Sequence, residues 1–378
     1  MSKNPPLTVL HIASGDLWAG AEVQLYTLAR TLHANPNVRV HLVLLNHGRL
    51  EQECLNAGIN VTIFDESELN GLQILRLLTH LIREQRPDVV HTHRIKENIL
   101  GSIATATSRK TASLRTVHGA PEHRLPWWHF PKRMIFILDR LCGRHLQRKI
   151  VAVSDDLASI LAVDFPTKQI CVIENGVDLE AILKDHSSST FQEDNRGTFK
   201  IGLAGRLVPV KRVDIIIQTA LYLMNSHPDM KVSFHVFGDG PMRDELEKLS
   251  EKSGTDKLVS FEGHCDDMLK ELQQLDVLLM TSDHEGLPMI LLEAMALQTP
   301  IIAHAVGGIP KLLDDGSCGI LVYKQDGASY AKEVYKLYNS PETRSKIAKS
   351  ALQHVIQNNS ALQNASSYYD VYTEITNK

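Results

Sequence analysis

Ser282-Asp283-His284-Glu285-Gly286-Leu287-Pro288-Met289-Ile290-Leu291-Leu292-Glu293-Ala294-Met295 follows a short apolar run, Asp276-Val277-Leu278-Leu279-Met280. The run is too short for a helix and reads as a buried strand. Residues 282–288 are polar, with one glycine and one proline, and read as a turn. From Met289 the apolar residues recur at helical spacing. In an open parallel sheet, the loop between a strand's carboxyl end and the next helix faces the ligand. Glu285 lies in that loop and Glu293 two turns into the helix. A helix N-terminus favours phosphate, and ionised carboxylates are strong acceptors for sugar or ribose hydroxyls.

The same alternation extends in both directions. Strands are expected near residues 8–13, 39–45, 60–64, 88–93, 113–117, 149–153 and 169–173, with helices between them. A second series is expected near 200–203, 231–237, 258–261, 276–280 and 300–303. Residues 185–198 are Ser-rich and charged, without apolar rhythm, and are read as a linker between domains of residues 1–184 and 199–357. The tail, residues 358–378, is read as a helix whose Tyr368, Tyr369 and Tyr372 pack back on the first domain. Two such series imply an α/β protein of two doubly wound domains with parallel sheets, and a site in the cleft between them. A length of 378 residues suits two domains, each with its own core.

Several side chains fall at expected strand ends. Arg206 and Lys211, in Ala204-Gly205-Arg206-Leu207-Val208-Pro209-Val210-Lys211-Arg212, are either solvated cations or a diphosphate clamp, Arg binding bidentately and Lys as a point charge. His118, before Gly119, is either structural or a cleft residue. His91 and His93 alternate onto one side of a strand and suit a polar cleft floor better than zinc, for which no third ligand is evident. Gly20 and Glu22 lie in a glycine-bearing loop after the first strand. That loop lacks the G-x-G-x-x-G spacing, so as a dinucleotide fingerprint it is weak.

Glu285-Gly286-Leu287-Pro288 and Leu292-Glu293-Ala294-Met295-Ala296, with seven residues between the two acids, resemble the Glu-x(7)-Glu signature of the family 4 retaining glycosyltransferases. Four further stretches resemble family motifs. Ala19-Gly20-Ala21-Glu22 is similar to its Gly-Gly-Ala-Glu loop, with Ala19 for the first glycine. Thr116-Val117-His118-Gly119 matches Thr-x-His-Gly, and Gly205-Arg206 with Lys211 matches Gly-Arg-x(4)-Lys. Val306-Gly307-Gly308-Ile309-Pro310 is similar to Gly-Gly-x-Pro-Glu, with Lys311 in place of the acid. Arg212 also stands where a glycine often follows the lysine. The resemblance implies the GT-B architecture, two Rossmann-like domains facing a central cleft. It implies retaining transfer from a nucleotide sugar, favouring UDP. Arg206, Lys211 and the backbone of Gly286 to Pro288 would hold the leaving diphosphate. Glu285 would hold donor hydroxyls, Glu293 the ribose, and the backbone at Gly263 and His264 the base, with Gly20 and Gly238 also in the donor site. His118, by side chain or main-chain carbonyl, would stabilise charge at the sugar. The donor would lie on the second domain. The acceptor, near Glu22, His91 and His93, would lie on the first. No cofactor or metal is expected, because the cations supply what a metal would.

Composition excludes little. Net charge is −4, split as +3 over residues 1–178 and −7 over residues 179–378, which argues neither for nor against nucleic acid; none is expected as a partner. Five scattered cysteines without a C-x-x-C argue against a disulfide framework and fit a reducing cytosol. No signal peptide and no spanning helix are expected. Between Arg124 and Lys149 there are seven Lys/Arg and one acid, Asp139, together with Trp127 and Trp128. There Phe130, Met134, Ile137, Leu138 and Leu141 are expected to pack inward, leaving either a solvated charged face with the aromatics in the core or a basic patch suited to an anionic membrane and a lipid-linked glycan acceptor. Such an enzyme would be cytoplasmic, peripheral on the inner face of the membrane, in cell-envelope polysaccharide synthesis. The alternatives are a nucleotide-sugar epimerase, whose acid pair is not found, and a non-catalytic sugar-nucleotide sensor, against which the retained Arg, Lys and Glu argue.

Overall fold

The computed structural model describes residues 5–16, 18–108, 110–119, 130–186 and 197–376. The chain divides into two compact units. One runs to Gly176 and takes up the chain again from Ala361; the other comprises Val177–Ser360.

In the first unit, β1 (Leu7–Ala13), β2 (Val38–Leu44), β3 (Asn60–Ile63), β4 (Val89–Thr92), β5 (Ala112–Val117), β6 (Lys149–Ala152) and β7 (Ile170–Val172) form one sheet in the order β3-β2-β1-β4-β5-β6-β7. Every pairing is parallel. β1 reads Leu-Thr-Val-Leu-His-Ile-Ala, almost without polar alternation, because helices cover both of its faces. The strand order changes direction between β1 and β4, which makes that seam the switch point where such sheets bind ligands.

The second unit repeats the plan. β8 (Phe199–Ala204), β9 (Val232–Phe237), β10 (Val259–Gly263), β11 (Val277–Met280), β12 (Ile301–His304) and β13 (Ile320–Val322) stand in the order β10-β9-β8-β11-β12-β13, all parallel. Its switch point is the β8/β11 seam. The strand that opened the sequence reading is β11, and all four of its residues are buried.

The last helix, Ala361–Thr376, belongs to the first unit. Tyr368 and Tyr372 are fully buried there, and each hydroxyl has a partner: Thr116 Oγ1 at 2.8 Å and His91 Nδ1 at 2.7 Å. A buried tyrosine contributes apolar area only while its hydroxyl is satisfied, and both meet that condition.

Two expectations need correction. The chain changes unit at Gly176/Val177, ahead of residues 185–198. The helix Leu179–His186 packs on the helix Met289–Ala296, and Val177 N–H bonds the Asn359 carbonyl at 2.9 Å, so this stretch is already part of the second unit. Residues 187–196 of the expected linker lie outside the described residues. The second correction concerns the helix Phe130–Leu146. Its inward face carries Asp139, Cys142 and Gly143, with Phe136 partly covered. Asp139 Oδ2 takes Arg115 Nη1 at 2.9 Å, and Gly143 lies close against the Phe165 ring. That buried ion pair orients the helix. Met134, Ile137, Leu138 and Leu141, expected to pack inward, are instead 42–50% exposed, as is Ile135 beside them. Trp127 and Trp128 lie outside the described residues. Among the described residues, no helix is long and apolar enough to cross a membrane.

Candidate active site

In the second unit, the loops after β8 and β11 meet. Lys211 Nζ contacts Glu285 Oε1 at 2.6 Å, with the two side chains 24% and 11% exposed. The contact is held by backbone on both sides. Asp283 N–H donates to the Val210 carbonyl at 2.8 Å. Thr281 Oγ1 donates to the Lys211 carbonyl at 2.8 Å, and Gln325 Nε2 donates to the Thr281 carbonyl at 2.8 Å. Sequence reasoning missed Thr281 and Gln325, because neither residue type is unusual where it stands. Arg206 is exposed at the tip of β8.

Arg212, where a glycine was anticipated, does adopt a left-handed backbone, φ +47°. Its guanidinium forks onto Asp214, with Nε–Oδ1 and Nη2–Oδ2 both at 3.0 Å. A left-handed conformation costs a non-glycine residue about 1–2 kcal/mol, and the fork offsets it.

Gly307 explains the Val306-Gly307-Gly308-Ile309-Pro310 stretch. Its φ is +57°, and a Cβ there would lie far inside contact distance of the Glu285 carbonyl oxygen. Gly308 N–H donates to the Gly286 carbonyl at 3.0 Å. The loop after β12 is thus the floor on which the Glu285 loop rests. Lys311 is exposed on the short helix Ile309–Leu312. Leu287 is buried, and Pro288 caps the helix Met289–Ala296 but has no N–H of its own to offer a phosphate. The amides free of helical carbonyls begin at Met289.

Glu293 is mostly buried, and burial pushes its carboxyl up to about 7. The sign follows. A carboxyl raised from its ordinary 4.5 favours folding fully at low pH, and that contribution is lost as pH rises from about 4.5 through about 7. Glu293→Gln should therefore raise Tm at pH 8, by up to about 3 kcal/mol of stability, and change it little at pH 4. Calorimetry at the two pH values checks this; equal shifts would contradict it.

Gly238 and Gly263, expected in the donor site, lie at neighbouring strand ends. Gly238 N–H donates to the Gly263 carbonyl at 2.6 Å, and Gly205 N–H to the Phe237 carbonyl at 2.9 Å. His264 is exposed, 3.6 Å from Asp266.

In the first unit, the ends of β1, β4 and β5 bring four imidazoles together. His91 is buried, its Nδ1 against Tyr372 and its Nε2 against Thr116 Oγ1 at 2.8 Å. His93 Nδ1 faces His118 Nε2 at 3.3 Å, and His93 Nε2 faces His11 Nδ1 at 3.1 Å. Burial holds all four rings neutral, His118 down to about 4 and His11 to about 3. His11 is the neighbour the sequence did not reveal. With His91 and His93 it forms a three-imidazole cluster, yet both His91 nitrogens already have hydroxyl partners. Gly20 opens the helix Gly20–His33. Glu22, buried in its first turn, receives the Ala19 N–H at 3.3 Å and pairs with Arg94; burial raises its carboxyl, and Arg94 opposes the rise.

Two family descriptions cover most of the chain. "Glycosyltransferase Family 4" matches residues 18–181, and "Glycosyl transferases group 1" matches residues 187–354. The chain is a family 4 glycosyltransferase. This family 4 enzyme is 25% identical over 328 residues to the putative glycosyltransferase EpsD of Bacillus subtilis, spanning 82% of this chain and 83% of that one. It is 26% identical over 283 residues to an Escherichia coli UDP-Gal:alpha-D-GlcNAc-diphosphoundecaprenol alpha-1,3-galactosyltransferase, covering 72% and 71% of the two chains. Its fold is similar to that of Anabaena HepE in complex with UDP-glucose, with TM-score 0.82 and 20% identity over 97% of this chain and 100% of that one. The two parallel sheets are those of the GT-B fold, as the sequence motifs implied.

Proposed function

We propose that this glycosyltransferase moves a hexose from a UDP-sugar to a lipid-linked glycan of the cell envelope, with retention and without a metal ion. The observation that carries the reading is the Lys211–Glu285 contact at the β8/β11 switch point, 2.6 Å long and fixed by backbone on both sides. One cation and one carboxylate there match the two halves of a nucleotide sugar. Lys211, with Arg206, takes the diphosphate as the bond from the anomeric carbon to the phosphate oxygen breaks and the oxygen keeps the electron pair. Glu285 accepts hydroxyls of the sugar, and Glu293 those of the ribose. The acceptor hydroxyl forms the new bond on the same face and passes its proton to the departing phosphate. His118 lies on the first unit with the acceptor and stabilises positive charge at the sugar. Fixed charges aimed at developing charge are worth roughly 3 kcal/mol each.

The Escherichia coli relative, whose name gives a UDP-galactose donor and a diphosphoundecaprenol-linked acceptor, supports the substrate classes. So does the exposed apolar row of the helix Phe130–Leu146, flanked by exposed Arg133, Arg140 and Arg144. Apolar side chains entering headgroups beside cations suit an anionic bilayer, at ~1 kcal/mol per cation.

The test is a panel of UDP-sugars with a polyprenyl-diphosphate glycan in vesicles, with and without EDTA. The expected result is transfer that EDTA leaves unchanged and a product with the donor's anomeric configuration. Loss of transfer rescued by magnesium or manganese would remove the metal-free reading. Donor conversion without acceptor would favour an epimerase. Sedimentation should show binding to anionic vesicles, weakened by salt, and little binding to neutral ones.

A further inference from the structure

His11 lies within β1, and His93 and His118 directly follow β4 and β5; the three strands are adjacent in the sheet. Their rings step from one to the next, with centroids 5.4 and 5.6 Å apart and interplanar angles of 20° and 24°. Nitrogen faces nitrogen at both joints, at 3.1 and 3.3 Å. A neutral imidazole has one donor nitrogen and one acceptor. Two joined imidazoles must therefore point the same way, and so must three. The two outer atoms, His11 Nε2 and His118 Nδ1, are buried and have no hydrogen-bond partner among the described residues.

We propose that His11 and His93 are positioning residues that hold the ring of His118 in its orientation and tie its tautomer to their own. The proposal rests on the reading that His118 acts in transfer. In one sense of the chain His118 Nδ1 carries the proton; in the other it offers a lone pair. His93 links the two alternatives to His11, so the ring cannot choose alone. The surroundings keep the chain neutral and separate. Arg94 bears on both His93 and His118 and disfavours a second positive charge. His91 does not join, because Tyr372 and Thr116 occupy its nitrogens, and the Tyr368 hydroxyl in turn occupies Thr116. The same occupation argues against a metal held by His11, His91 and His93.

The experiment compares His118→Ala, His93→Leu and His93→Asn in the full chain, with circular dichroism and Tm confirming the fold. The amide of Asn falls where Nδ1 of His93 stood, so Asn retains the joint to His118 and Leu does not. His93→Leu should lower kcat roughly 10- to 100-fold with donor KM little changed. His93→Asn should recover most of that loss. Nitrogen-15 spectra of histidine-labelled protein should show His118 Nε2 hydrogen-bonded in the wild type and in His93→Asn, and without that bond in His93→Leu. Unchanged kcat in His118→Ala would overturn the reading of His118 and the proposal with it. Impaired His118→Ala beside a folded, fully active His93→Leu would overturn the imidazole chain alone. Stoichiometric zinc in the wild type that disappears in His11→Leu would also overturn it, in favour of a metal centre.

Discussion

Lys211→Ala and Glu285→Gln are each expected to lower kcat by roughly 100-fold or more. The leaving diphosphate gains charge as the glycosidic bond breaks, so a fixed cation at its oxygens acts mainly in the transition state. A charge-stabilising group of that kind shows in kcat more than in KM. The structure adds a complication to the measurement. The pair is mostly covered, with Glu285 11% exposed. Removing Lys211 leaves a covered carboxylate without its cation, which should cost about 1–3 kcal/mol of stability. Lys211→Met combined with Glu285→Gln removes both charges and should regain much of that stability while activity stays low. Steady-state kinetics beside thermal melts separate the two effects. A single variant with near-normal kcat would remove that residue from the mechanism, and a double variant as active as wild type would remove the pair.

The contrast between what was and was not legible follows from the range over which each signal acts. β8 and β11 are central parallel strands buried on both faces, so they appear as short apolar runs, and the polar loops after them stand out. Lys211, Glu285 and Glu293 lie in those loops, within reach of motif spacing. His11 was missed because it sits inside an apolar strand and looks like a core residue. Its approach to His93 depends on β1 pairing with β4, a fact of sheet order that no local pattern contains. The helix Phe130–Leu146 was turned the wrong way because its apolar stripe was taken as the buried one. Asp139, buried on Arg115, decides the matter, and an isolated aspartate in a basic helix gives no hint of a partner 24 residues away. Arg212 shows the opposite case. A departure from the family pattern left the backbone in doubt, yet the left-handed turn is kept and Asp214 holds the arginine in it.

Gly307→Ala should disable the enzyme without touching any group that meets the substrate. Two effects combine. At φ +57° an alanine is disfavoured by about 1–2 kcal/mol. Its methyl would also enter the space of the Glu285 carbonyl oxygen, which is backbone and has no rotamer by which to withdraw. Either the loop after β12 or the Glu285 loop must move, and Gly308 N–H holds the two together through the Gly286 carbonyl at 3.0 Å. A displacement near 1 Å at Glu285 would break its alignment with Lys211 and with the sugar, at a cost of roughly 100-fold in kcat/KM. Gly254→Ala is the control. Gly254 has φ +72° in the same unit, and a Cβ there would meet nothing within 4 Å. It should lose stability from backbone strain alone and keep wild-type kcat/KM. Kinetics and Tm on both variants decide the point. If Gly307→Ala tracks the control, falling in Tm but not in activity, then the Glu285 loop does not depend on the loop after β12 for its position.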